Sequence, residues 1–156
     1  MGPGDRVGDF ELRDQHGALR RLSEFLAQGP AVIYFYPAAM TRGCTAENCH
    51  FRDLGREFAD LGAQVIGIST DSVERQLEFQ QKNSLTVPLL SDPGGQVARQ
   101  FGVRRSFGPI PVKRWTFVVG GDRRVLAVIK SETRMGVHAD RALEILRSRM
   151  EPPVDA

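Results

Sequence analysis

Ala31-Val32-Ile33-Tyr34-Phe35-Tyr36-Pro37-Ala38-Ala39-Met40-Thr41-Arg42-Gly43-Cys44 is the stretch on which the reading of this chain turns. Its first six residues are apolar, β-branched or aromatic without alternation, the pattern of a short strand buried on both faces. Pro37 ends that strand, because it has no N–H to give a sheet. Beyond Cys44 the period becomes helical: Phe51, Leu54, Phe58 and Leu61 fall at i, i+3, i+7 and i+10, and Gly62 stands where a cap belongs. One helix over about 44–61 is predicted. Cys44 therefore sits in the first turn of a helix that follows a buried strand, where α/β sheets place functional groups.

Outward from this unit the pattern is regular. On the amino-terminal side, Asp9–Leu12 and Ala18–Leu22 alternate around Gln15-His16-Gly17, which predicts a hairpin. On the other side, Val65–Ser69 reads as a second apolar strand. Asp71, with Glu74 three residues on, reads as the box-like start of a helix to about Asn83. Leu89-Leu90 is extended, Ser91–Gly95 is a turn, and Gln96–Phe101 gives a short helix closed by Gly102. Trp115–Val119 and Val125–Ile129 form a hairpin about Gly120-Gly121-Asp122, and Asp140–Met150 a closing helix with Leu143 and Leu146 inward. This order predicts an α/β, thioredoxin-like fold: a mixed central sheet covered by helices, with an N-terminal β-hairpin. No repeat or interior linker is visible. The expectation is one domain over 1–150 and a disordered tail over 151–156.

Composition narrows the function by exclusion. At 156 residues, 41% hydrophobic and 26% charged, the chain can bury one ordinary core. The longest apolar run, Ala31–Met40, is interrupted by Pro37 and is too short to span a bilayer. Met1–Arg6 has no apolar segment of a secretory signal and no Ser or Thr at position six for myristoylation. A cytoplasmic protein with no membrane partner is expected. The net charge is +2, and Arg20-Arg21, Arg104-Arg105, Lys113-Arg114 and Arg123-Arg124 are spread among 19 acidic residues. That describes a mixed, solvated surface, not a nucleic-acid interface.

The two cysteines carry the chemistry. A helix N-terminus presents free backbone N–H groups and about half a positive charge, which favours a thiolate, and Arg42 stands close by in sequence. By position alone Cys44 could equally be a small packing residue. Cys49 makes the pair C-x4-C on one predicted helix. Five helical residues separate their Cα atoms by roughly 8–9 Å, beyond the about 7 Å that a disulfide tolerates. If the thiols pair, the helix must unwind. A metal site is not expected, since His16, His50 and His138 are scattered around a local set of only Cys44, Cys49 and His50. The C-x-x-C, P-loop and G-x-G-x-x-G motifs are absent, while a Cys-His hydrolase stays open.

Tyr34–Cys49 resembles the active-site segment of the peroxiredoxins, P-x-x-x-T-x-x-C, and within them the peroxiredoxin Q (bacterioferritin comigratory protein) group, which carries a second cysteine five residues on. The likeness extends through Phe51-Arg52-Asp53, Ile68–Ser72, Leu89–Asp92 and Arg114–Val118, in order along nearly the whole chain. The resemblance implies that Cys44 is the peroxidatic nucleophile and Cys49 the resolving thiol. It implies that Thr41 holds the peroxide, that Pro37 shapes and shields the pocket, and that Arg114 reaches across to the thiolate. The activity implied is a thioredoxin-dependent peroxidase acting on hydrogen peroxide and organic hydroperoxides. The reductant would be thioredoxin or a glutaredoxin-like protein, with no metal or organic cofactor, in a monomer. The chain departs from the pattern at Gln76-Leu77, at Trp115 and in the loop Phe107–Pro111. Two rival readings are a peroxide-sensing or chaperone-like redox protein with the same cysteines, and a non-enzymatic binding domain on a thioredoxin-type scaffold.

Overall fold

The computed structural model describes residues 1–150. The expected tail over 151–156 lies outside the described residues. In chain order the elements are β1 (Glu11–Arg13), β2 (Leu19–Arg21), α1 (Leu22–Leu26), β3 (Ala31–Phe35), α2 (Arg42–Asp53), α3 (Gly55–Asp60), β4 (Gln64–Ser69), α4 (Val73–Asn83), β5 (Leu89–Ser91), α5 (Gln96–Gln100), β6 (Trp115–Val119), β7 (Val125–Lys130) and α6 (Val137–Met150). The strands form one sheet in the order β2-β1-β5-β4-β3-β6-β7. At its centre β3, β4 and β5 run parallel, while β6 is antiparallel to β3 and β1 to β5. This is the expected α/β, mixed-sheet arrangement, with the β1–β2 hairpin at one edge.

Every residue of β3 is buried, as its unbroken apolar run requires. Its side chains alternate between two cores. Ile33 and Phe35 join Phe101 and Phe117 on one face, with Leu22 and Phe25 of α1 and Val97 and Ala98 of α5. Val32 and Tyr34 join Phe51, Phe58, Phe79, Ala142 and Leu143 on the other, under α2, α3, α4 and α6. Cys44 belongs to this second face.

The amino-terminal segment straps the first face. Val7 N–H donates to the Arg123 carbonyl (2.7 Å) and Gly4 N–H to that of Val125 (2.8 Å), beside β7. Val7 and Phe10 are then buried in the aromatic core, and the chain enters β1 next to β5. The strap thus crosses from one side of the sheet to the other.

The structure amends three expected boundaries. The 44–61 helix is two helices that begin at Arg42 and break at Leu54, whose φ of −96° and ψ of 11° leave the helical well ahead of Gly55. The cap of α4 is Ser72, whose hydroxyl accepts the Arg75 N–H, not Asp71, which turns back toward the loop after β3. The last helix starts at Val137, three residues before Asp140. Between α5 and β6, Arg105 N–H donates to the Pro111 carbonyl (2.9 Å) and closes the base of a loop that leaves Phe107 88% exposed.

Candidate active site

The site forms where β3 hands over to α2. Tyr36 N–H still reaches the Ile68 carbonyl (3.1 Å), so β3 keeps its neighbour up to the residue before Pro37. The turn that follows is fixed by Asp71, whose carboxylate accepts from the Ala39 N–H (2.7 Å) and the Ser69 hydroxyl (2.7 Å). Met40 takes a left-handed φ of 70°, an unusual backbone for a residue with a side chain. Thr41, extended at φ −78° and ψ 154°, opens α2 and donates its hydroxyl to the Ala38 carbonyl at 2.8 Å. Both lone pairs of that oxygen are left to accept from a ligand. Pro37 is half-buried at the start of this turn.

Cys44, in the first turn of α2, is wholly buried. Arg114 reaches it from the start of β6: one guanidinium nitrogen donates to Cys44 Sγ at 3.3 Å. A second donates to Glu47 Oε1 at 2.7 Å. Burial opposes the charge on Arg114, but Glu47 and Cys44 outweigh it and hold the guanidinium above its ordinary value. The Arg114 backbone N–H is held by Glu132 (2.9 Å), which also binds Arg105 (2.7 Å). A surface ion pair for Arg114 is thereby excluded. Arg42, expected near the thiol from its place in sequence, is exposed, and Arg114 supplies the cation at the sulfur.

Cys49 is half-buried on the same unbroken helix, and both thiols are free. The turns between them are pinned to the core: Tyr34 donates its hydroxyl to Asn48 Oδ1 (2.6 Å), and Asn48 Nδ2 donates to the Cys44 carbonyl (2.9 Å). The site thus brings Arg114 to the sulfur of Cys44, with Pro37 and Thr41 in the turn that leads into the same helix. Cys49 stands apart from that sulfur by the geometry of an intact helix.

The sequence reading missed four buried polar groups. Glu47 lies three residues from Cys44 on one helix face, a spacing that could have flagged it. His138 of α6 has Nδ1 at 2.8 Å from the Thr116 hydroxyl and Nε2 at 2.8 Å from the Ser131 carbonyl, so Nε2 carries the proton. Burial holds it below the ordinary histidine range. Asn48 is the third. Gln76, noted only as a departure, receives the Tyr36 hydroxyl and donates to Ser69 Oγ (2.9 Å) and the Leu90 carbonyl (3.0 Å). His50 pairs with Asp140 (2.8 Å) between α2 and α6, and among the described residues no cluster of three His, Cys, Asp or Glu could hold a metal. Nor is any described helix long and apolar enough to cross a membrane.

Comparison with known proteins assigns the chain to a family. Residues 3–128 match the model of the AhpC/TSA family. A putative peroxiredoxin of Mycobacterium tuberculosis is 57% identical over 150 residues, covering 95% of this chain and 97% of that one. The crystal structure of peroxidoxin BcpB from the same organism superposes with a TM-score of 0.93 at 55% identity, over 97% of this chain and 99% of that one. A Xanthomonas campestris bacterioferritin comigratory protein, solved in connection with its alkyl peroxide reduction, gives 0.82 at 30% identity over 91% and 92%. This chain belongs to the AhpC/TSA family, and within it to the peroxiredoxins, the oxidoreductases that reduce peroxides at a cysteine thiol.

Proposed function

We propose that the protein, as one domain over residues 1–150, reduces hydrogen peroxide and organic hydroperoxides through Cys44 and is recycled by thioredoxin or a glutaredoxin-like dithiol protein. The observation that carries this reading is the 3.3 Å contact between the Arg114 guanidinium and the wholly buried Cys44 Sγ. The Cys44 thiolate attacks the nearer peroxide oxygen, the O–O bond breaks, and water or an alcohol departs after taking a proton. Arg114 supports the charge that moves onto the departing oxygen, with no reorganisation needed. The free lone pairs of Thr41 accept the peroxide O–H and hold its bond in line, while Pro37 walls the turn against water. The Cys49 thiol then condenses with the Cys44 sulfenic acid, releasing water and forming a disulfide. The external dithiol reduces that bond and is itself oxidised to a disulfide. The likeness to the Xanthomonas protein supports the inclusion of alkyl peroxides.

Steady-state turnover with each peroxide and each reductant tests this reading. Cys44→Ser abolishes turnover, whereas Cys49→Ser consumes about one equivalent of peroxide and then stalls or over-oxidises. Normal turnover of Cys49→Ser with thioredoxin would remove its resolving role. Stoichiometric peroxide consumption by the parent protein, without turnover under any reductant, would favour the sensing reading.

A further inference from the structure

We propose that Glu47 is a positioning residue for the peroxide reaction: its carboxyl, by being neutral or ionised, sets how much of the positive charge of Arg114 is left for the sulfur of Cys44. This inference rests on the reading of Cys44 as the peroxidatic thiol. One guanidinium serves two groups that can carry negative charge, Sγ at 3.3 Å and Oε1 at 2.7 Å, so what one receives the other loses. The two oxygens of Glu47 are unequal. Oε1 takes the Arg114 N–H, while Oε2 is buried with no hydrogen-bond partner.

The surroundings do little to hold a charge there. His138 of α6 is the nearest other candidate, with Nε2 3.8 Å from Oε2, but that nitrogen gives its proton to the Ser131 carbonyl. Glu132, in the loop before α6, adds a like charge that disfavours a second carboxylate. Tyr34 of β3 and Cys44 on the same helix bring no cation. A bare carboxylate oxygen in a dry interior is costly, and a proton removes the cost. Burial accordingly pushes the Glu47 carboxyl up to about 8, against the downward pull of Arg114. Below that value the carboxyl holds its proton. It still orients the guanidinium through an Oε1 lone pair, and the charge of Arg114 faces the sulfur. Once ionised, it competes with the thiolate and with the departing oxygen for that charge.

The test is the single-turnover rate constant of Cys44 with hydrogen peroxide, followed from about pH 6 to about pH 10, in the parent and in Glu47→Gln. Gln keeps the acceptor at Oε1 and cannot ionise. The parent should lose reactivity on the order of tenfold above about pH 8, the scale set by a unit charge a few ångströms away in a partly screened interior. Glu47→Gln should lack this fall, whatever its rate at neutral pH. The same alkaline fall in Glu47→Gln overturns the proposal, as does an equal loss of rate at every pH. A carbon-13 NMR titration of the Glu47 carboxyl in the reduced parent protein decides the same point without a variant. Its midpoint should match the fall in rate, and a carboxyl already ionised at about pH 6 overturns the proposal. Failure of the underlying reading looks different: parent Cys44 would not react with peroxide at any pH.

Discussion

The face of the sheet beneath α1 and α5 and the face beneath α2 and α6 share every central strand, yet they are built of different materials. The first is dry: Phe35, Phe101 and Phe117 meet with ring centres 4.9–6.0 Å apart, closed over by Val7 and Phe10. The second buries Tyr34, Tyr36, Glu47, Asn48, Gln76, Thr116 and His138 among its apolar residues. A buried polar group costs stability unless it is paired, and most of these are paired with one another or with backbone. The bare atoms at the sulfur are Glu47 Oε2 and Arg114 Nε. One face answers for holding the molecule together. The other gives up stability at one point so that a charged group can stand at the thiol.

The sharpest way to break this contrast is a pair of truncations. Arg114→Ala should slow the reaction of Cys44 with peroxide by about 10²–10³, the usual loss of a preorganised donor, with a smaller effect on folding, since Glu47 can take up a proton once its partner is gone. Phe101→Ala should lower the unfolding free energy by about 3–5 kcal/mol yet leave the rate constant of the folded fraction within about twofold. Stopped-flow kinetics and urea unfolding on both variants decide it. If Arg114→Ala loses mainly stability, or Phe101→Ala mainly rate, the division between faces is wrong.

A smaller effect sharpens the cost placed on the polar face. Glu47 has its folded value raised to about 8, so between about pH 6.5 and 8 the folded chain keeps a proton that the unfolded chain has released. Stability therefore falls as pH rises through that window, by about 1–2 kcal/mol. His138, held below its ordinary value, acts in the opposite sense, and only its upper tail, where the unfolded imidazole loses its last proton, enters the window. Urea unfolding at the two ends should show the loss in the parent and not in Glu47→Gln. Equal slopes would mean that Glu47 is already ionised in the folded protein.

The smallest effect expected is in dynamics. Oxidation by one equivalent of peroxide should speed amide exchange in residues 42–53, because a Cys44–Cys49 bond cannot form across the intact helix. β3 should stay protected. Trp115 should report this only faintly: it packs toward Phe117 on the dry face, with Lys113 and Lys130 at 4.8 and 4.4 Å from its ring. Unchanged exchange over 42–53 in the disulfide form would refute the unwinding.

Much of this was legible from residue order. The β3 run and its stop at Pro37 set the strand-to-helix step, and C-x4-C set the distance problem, because both follow from local geometry. The thiol's cation was legible only through the family resemblance, since Arg114 lies 70 residues from Cys44 and only the sheet brings them together. Arg42, the neighbour in sequence, is exposed to solvent instead. The polar face stayed hidden for a related reason. Tyr34 and Tyr36 read as apolar in a strand and Gln76 only as a departure from the family pattern, and their hydrogen bonds are to residues 14 and 40 positions away. The break at Leu54 was missed because the apolar period runs through it unaltered.

The amino-terminal strap has a consequence for the order in which this molecule can assemble. Its hydrogen bonds join residues 4–7 to residues 123–125, so this segment waits for a strand far along the chain before it can dock. Until then Phe10 cannot reach Phe101, and the aromatic face lies uncovered on a growing chain. Folding is thus closed by this strap rather than by the helices around the thiol, and shortening it by a few residues should slow the last refolding phase seen in stopped-flow kinetics.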